Sequence, residues 1–247
     1  MAKSKQALKV LLTRRMLITL LLGFCSGLPL ALVASTLQAW MTDAHVDLTV
    51  IGIFALVQLP YTLKFVWSPL LDRYVPPFLG RRRGWLLISQ IALMGGMASM
   101  ASTDPSLQTW RMAALAVCVA FFSATQDIVI DAYRTELLPK EELGFGAALY
   151  VVGYRLAMLV SGATALFLAM SKPWHQVYLL MAVLMGLGIV ITFFAPEPET
   201  SHGTPKSLTE AIVQPFLEFF KRSNAGDALV ILAFILLFKL GDSMAGT

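Results

Sequence analysis

Ser123-Ala-Thr-Gln-Asp-Ile-Val-Ile-Asp-Ala-Tyr-Arg-Thr-Glu-Leu-Leu-Pro139 closes an apolar run that begins at Met112. Asp127 and Asp131 are four residues apart, so a helix carries both on one face, with Gln126 beside them. A carboxylate inside a hydrophobic span is costly and turns toward a protein interior, a partner or water. At about 1.5 Å per residue, Asp127 lies about 10 Å deeper along the helix than Arg134. Two readings are open. Either Asp131 marks the membrane surface next to Arg134 and Glu136 while Asp127 alone is buried, or both carboxylates serve one polar site.

The rest of the chain makes that run one of a series. The sequence has 247 residues, 57% hydrophobic and 14% charged, with a mean hydropathy of +0.71. Those values describe an all-α polytopic membrane protein and exclude a soluble core. The net charge of +4 is no nucleic-acid signal, because the basic residues fall in short loops between apolar spans. Cys25 and Cys118 both lie inside spans and read as small packing residues. No cleavable signal peptide is evident, since the first apolar run is too long and lacks a small-residue cleavage site.

Six spans are expected at Met16–Ala39, Val50–Leu71, Trp85–Met100, Trp110–Ile130, Gly146–Met170 and Gln176–Ala195. Each is close to the ~20 residues that cross a ~30 Å hydrocarbon core. Fourteen Lys and Arg residues lie in the leader (residues 1–15), in Asp72–Gly84, in Asp131–Phe145 and in Pro196–Asp227, whereas the opposite side holds only Arg111 and Lys172. The positive-inside rule therefore puts the N-terminus in the cytoplasm. Trp40, Trp110 and Trp174 fall at outer boundaries and Trp85 at an inner one, as in an aromatic belt.

The segment 196–227 reads as a cytoplasmic linker. Ser207-Leu-Thr-Glu210 has capping-box spacing, and Leu208, Ala211, Ile212, Phe216, Phe219 and Phe220 follow at helical intervals. An amphipathic helix along the membrane face is expected, interrupted near Pro215. A seventh span begins near Ala228, carries Lys239 and Asp242, and stops before a crossing is complete. Six spans, a long linker and a new span suggest the N-terminal half of a two-bundle transporter whose C-terminal bundle is missing. No convincing inverted repeat joins spans one to three with four to six.

Other charged and polar residues mark possible chemistry. Arg155 lies about 15 Å into the fifth span, near the bilayer midplane, on a helix antiparallel to the one carrying Asp127. The pair reads either as a structural ion pair or as a substrate-anion site switched by a carboxylate. Lys64 is about 12 Å from Asp72 and either snorkels to the surface or joins that site. Gly23, Gly27 and Pro29 allow close helix packing or a bend. Asp72-Arg73 and Gly80-Arg81-Arg82-Arg83-Gly84 read either as a positive-inside anchor or as a clamp between helices that releases when access changes. His45, His175 and His202 have no metal-ligand company, so no metal or cofactor is expected.

Asp72-Arg73 followed by Arg81-Arg82-Arg83 resembles the loop-two signature of the major facilitator superfamily, with Tyr74–Gly80 inserted. More closely, the chain resembles the AmpG-type muropeptide permeases, nearly end to end. The segments that carry this are Gly23-Phe-Cys-Ser-Gly-Leu-Pro-Leu30, Leu37-Gln-Ala-Trp-Met41, Lys64-Phe-Val-Trp-Ser-Pro-Leu70, Gly80-Arg-Arg-Arg-Gly-Trp85, Gln126-Asp-Ile-Val-Ile-Asp-Ala132, Gly153-Tyr-Arg155, Ala195-Pro-Glu-Pro198 and Lys239-Leu-Gly-Asp242. The resemblance implies import of N-acetylglucosaminyl-1,6-anhydro-N-acetylmuramyl peptides across the bacterial inner membrane, driven by protons, with a role in β-lactamase induction.

The residues are compatible with that chemistry. Arg155, Lys64 and Lys239 are candidates to pair substrate carboxylates, and Gln38, Gln58, Gln126 and Tyr154 to bond sugars and amides. Asp127, with Asp131 and Asp242, is a candidate proton carrier. Asp72, Arg73, Arg81, Arg82 and Arg83 are candidate gating residues. The alternatives are a major-facilitator importer of another solute, a non-transporting sensor or assembly factor, and an intramembrane prenyltransferase using Asp127 and Asp131 for Mg²⁺ and diphosphate. The enzyme reading lacks a second Asp-rich cluster.

Overall fold

The computed structural model describes residues 13–198, with scattered positions between 226 and 237. The chain divides into two units, Met1–His202 and Gly203–Thr247. Residues 1–12 of the expected leader, the amphipathic linker helix, Lys239 and Asp242 lie outside the described residues.

Among the described residues of the first unit six helical segments are long and apolar enough to cross a membrane: Arg14–Asp43, Leu48–Val66, Arg81–Ala101, Thr109–Leu137, Lys140–Ala169 and Trp174–Phe194. Several helices outrun their apolar stretches. The fourth continues to Leu137 and so carries Asp131, Arg134 and Glu136 beyond the hydrophobic part. Helix continues there because each polar side chain finds a partner at the charged end of the bundle.

The first span is the hub, packing most extensively on the fifth and also on the fourth and sixth, while the third lies against the fourth and sixth. Glycine makes the main crossing possible. A methyl group on Gly23 would come within 3.0 Å of the Tyr150 backbone, one on Gly27 within 3.0 Å of the Tyr154 backbone, and one on Gly153 within 2.9 Å of the Phe24 amide. The glycines therefore serve backbone-to-backbone packing, as small residues do where hydrophobicity cannot drive helices together.

Irregular backbone in one span meets irregular backbone in its neighbour. The first helix breaks at Ala34, five residues after Pro29. The fifth widens into a π turn over Val160–Thr164. The Thr36 hydroxyl donates to the Ser161 carbonyl at 2.7 Å, so a side chain satisfies backbone that the distorted helix leaves free. At the same end Trp174 donates to Asp43 at 2.8 Å and stacks on Trp40, fixing the start of the sixth span.

The second span is the loosest. Short α turns alternate with tighter turns at Phe54–Gln58 and Lys64–Val66, with Pro60 and Pro69 in the run. It leans on the fourth span across an apolar cavity of about 640 Å³ lined by residues such as Phe54, Val57, Trp110 and Phe121.

The glycine crossing is open to test. Gly153→Ala puts a methyl group into the first span's backbone, and overpacking of that kind costs typically about 1–3 kcal/mol. Its unfolding midpoint in detergent should fall clearly below that of Gly95→Ala, where the added group meets nothing within 4 Å. Equal midpoints would mean that the two backbones do not touch.

Candidate functional site

Two polar constellations stand out, one midway along the bundle and one at its charged end. The first is built on Asp127, which is 7% exposed. The Ser26 hydroxyl donates to its Oδ1, and the same hydroxyl oxygen lies 2.7 Å from the Tyr150 hydroxyl. Ser26 sits between Gly23 and Gly27 on the first span, so the glycine crossing is what lets so short a side chain reach both the fourth and fifth spans. The second span adds Lys64, half-buried, and the buried Tyr61 hydroxyl. Both act electrostatically with Asp127, as does Tyr154.

The charges are arranged differently from the expected Asp127–Arg155 approach. Among the described residues no ion pair joins the two. The cation that acts on Asp127 is Lys64. Helical geometry explains the outcome. Gly153 faces the first span, and Arg155, two residues on, is rotated about 200° away onto an exposed face. Tyr150 and Tyr154, four residues apart, share the side next to Asp127.

The remaining expected residues separate. Asp131 pairs with Arg134 at 3.3 Å and its side chain is 48% exposed, so the two carboxylates do not face one partner. Gln126 is wholly buried and donates to the Cys25 carbonyl at 3.0 Å, tying the fourth span to the first. Gln38 is half-buried and Gln58 exposed. Lys239 and Asp242 are not among the described residues.

The second constellation is a clamp at the ends of the first, second, third, fourth and sixth spans. Arg82, its side chain 5% exposed, reaches Asp72 at 2.7 Å and Glu136 at 2.5 and 3.0 Å, and Arg81 meets Glu136 at 2.9 Å. Glu197 accepts from the backbone amides of Arg82 and Arg83 at 2.8 and 3.1 Å, where a carboxylate complements the start of the third helix. Arg83 donates to the Thr192 and Phe193 carbonyls, and Arg14 to Phe194, so cations cover the last turn of the sixth helix. Gly80 turns into the third helix with φ +86°, a left-handed conformation suited to glycine, and a side chain there would strike Glu197. Arg73 lies over the Tyr74 ring, outside the ion-pair network.

Sequence reasoning missed Ser26, Tyr61 and Tyr150 around Asp127, and Glu136 and Glu197 in the clamp. Serine and tyrosine in apolar helices carry no charge signal to draw notice. Glu197 sits in a Pro-flanked segment that reads as a loop.

Six apolar helices long enough to cross a membrane, packed around a buried carboxylate with a charged clamp at one end, describe an all-α polytopic membrane protein of the transporter class. The chain belongs to the Major Facilitator Superfamily, whose signature matches residues 19–244. It is 53% identical over 243 residues to the anhydromuropeptide permease of Escherichia coli K12, covering 98% of this chain and 49% of that protein. It is 46% identical over 237 residues to an uncharacterized protein of Haemophilus influenzae, covering 95% of this chain and 56% of that protein. The chain thus spans about half the length of the curated relatives it matches.

Breaking a buried ion pair by removing one partner costs about 3–5 kcal/mol in soluble cores. Because Asp72 is 42% exposed, Arg82→Ala should cost less than that but still lower the unfolding midpoint clearly. Arg73→Ala should leave it in place, and equal effects would dissolve the clamp. For the central site, a double-mutant cycle of Asp127→Asn and Arg155→Gln should be additive in stability, within about 0.5 kcal/mol. A large coupling would restore the ion pair.

Proposed function

We propose that the full-length protein is a proton-coupled importer of anhydro-muropeptides in the bacterial inner membrane, to which this chain contributes the N-terminal bundle. The observation that carries the substrate is the 53% identity, along nearly the whole chain, to a protein named anhydromuropeptide permease. Asp127 supports a proton role, because it is a buried carboxylate on a hydrogen-bonded chain with a half-buried lysine near it. A muropeptide offers carboxylates, amides and sugar hydroxyls. Arg155 on the exposed face of the fifth span is the candidate anchor for carboxylates, and Tyr154 and Gln38 are candidate partners for sugars and amides. Import would feed the cytoplasmic muropeptide pool through which β-lactamase is induced.

The prenyltransferase reading loses its basis. Asp127 is engaged by Ser26 and Asp131 by Arg134, so the pair does not present two free carboxylates to a cation.

Alternating access follows as rocking of this bundle against a second one, with the Asp72–Arg82–Glu136 clamp closed in one state. The charged end, including the N-terminus, faces the cytoplasm on this reading. Cysteine reporters at Asp47 and Lys172 should then react from outside the cell, and those at Gly80 and Glu141 from inside. An externally labelled Gly80 site would reverse the orientation.

Vesicles holding the full-length protein should accumulate labelled anhydro-muropeptide under an imposed proton gradient and lose that accumulation in Asp127→Asn. Vesicles holding residues 1–247 alone should take up none. Accumulation that ignores the gradient would remove the proton from the mechanism, and failure to take up muropeptide would remove the substrate.

A further inference from the structure

The hydrogen bonds around Ser26 have a direction. A serine hydroxyl has one hydrogen, and Ser26 gives it to Asp127. The 2.7 Å contact with Tyr150 must then run the other way, with the tyrosine O–H donating to the Ser26 oxygen. While Asp127 is ionised, two O–H groups fill two links and the chain has no donor to spare.

Adding one proton to Asp127 leaves three O–H groups for the same two links, so one donor must point out of the chain at an end. Charged and titratable groups face Asp127 from two other elements and its own: Lys64 and Tyr61 from the second span, Tyr150 and Tyr154 from the fifth, and Asp131 on the same helix. The first span contributes the neutral Ser26. Lys64 only donates, and Asp131 is engaged by Arg134. At the Asp127 end the Tyr61 hydroxyl is thus the candidate acceptor. At the other end is Tyr150, half-buried beside Tyr154, with ring centroids 6.1 Å apart.

We propose that Tyr150 is the coupling residue of this site: its hydroxyl donates inward through Ser26 while Asp127 is ionised and turns outward to a ligand oxygen once Asp127 is protonated. The exchange needs no ring movement. Asp127 donates to Ser26, Ser26 donates to the Tyr150 oxygen, and the tyrosine hydrogen rotates to an acceptor such as a sugar hydroxyl, amide carbonyl or carboxylate. Each oxygen keeps a hydrogen and the single added proton accounts for the new bond. The ring is held meanwhile by Arg134, 5.4 Å from its centroid, and by the backbone contact at Gly23. Binding and protonation then favour one another, as coupling requires. This rests on the transport reading above, with Asp127 as proton carrier.

The test uses the full-length protein in proteoliposomes with Tyr150→Phe, Ser26→Ala and Tyr61→Phe. Tyr150→Phe keeps the ring and its packing and removes only the hydroxyl. The infrared C=O band of protonated Asp127, identified by its loss in Asp127→Asn, should appear as pH falls. Its frequency should shift in Ser26→Ala and, by less, in Tyr150→Phe, and stay in place in Tyr61→Phe. Gradient-driven uptake of labelled anhydro-muropeptide should fall about tenfold in Tyr150→Phe, on the order of one hydrogen bond. Ligand exchange at equal pH on both sides should rise as pH falls in the unaltered protein and lose that pH dependence in Tyr150→Phe, a difference that a purely structural role would not produce. No Asp127 band at any pH, a band indifferent to Tyr150→Phe, or uncoupling by Tyr61→Phe instead would each overturn the relay. The band shifts without any muropeptide uptake by the unaltered protein would uphold the relay and defeat the transport reading.

Discussion

The crossing of the first and fifth spans is the contact on which the rest of the bundle depends. In hydrocarbon, apolar surfaces gain little by meeting each other, so helices associate through close packing and internal hydrogen bonds. Gly23, Gly27 and Gly153 let two backbones touch. That proximity in turn brings Ser26 within reach of Asp127 on one neighbour and Tyr150 on another. A carboxylate that would be prohibitive in an isolated helix becomes tolerable because the crossing supplies its donor. The packing contact and the candidate chemistry are the same place.

The charged end follows the complementary logic. There the helices leave the apolar layer, and their ends expose amides and carbonyls that need partners. Glu197 serves the start of the third helix, while Arg83 and Arg14 serve the end of the sixth. The Arg82 side chain, nearly inaccessible, is held by Asp72 and Glu136 from two other helices. A single guanidinium with a rigid fork of donors can join two carboxylates in this way, which a lysine would not do with the same geometry. On the transport reading proposed above, such a knot would serve as a gate that is either shut or open.

Much of this was legible from the residues in order. The six spans follow from apolar length, because the bilayer fixes how many residues a crossing needs. The clustering of Asp72 and Arg81–Arg83 at one end, and the depth of Asp127, follow from counting along helices. What one dimension does not hold is helix rotation and neighbour choice. Arg155 was expected to approach Asp127, yet it lies about 200° around the helix from the Gly153 face, and the described ion pairs do not join the two; the cation that acts electrostatically on Asp127 is Lys64, from a different span. Gln126, adjacent to Asp127 in sequence, is turned into the first span's backbone. Ser26, Tyr150 and Glu197 gained their roles only from the helices packed against them. Composition and periodicity therefore determined that the chain crosses a membrane and where its charges lie along each helix. Tertiary packing alone decided which charges meet, because that depends on the azimuth at which glycine lets each helix dock.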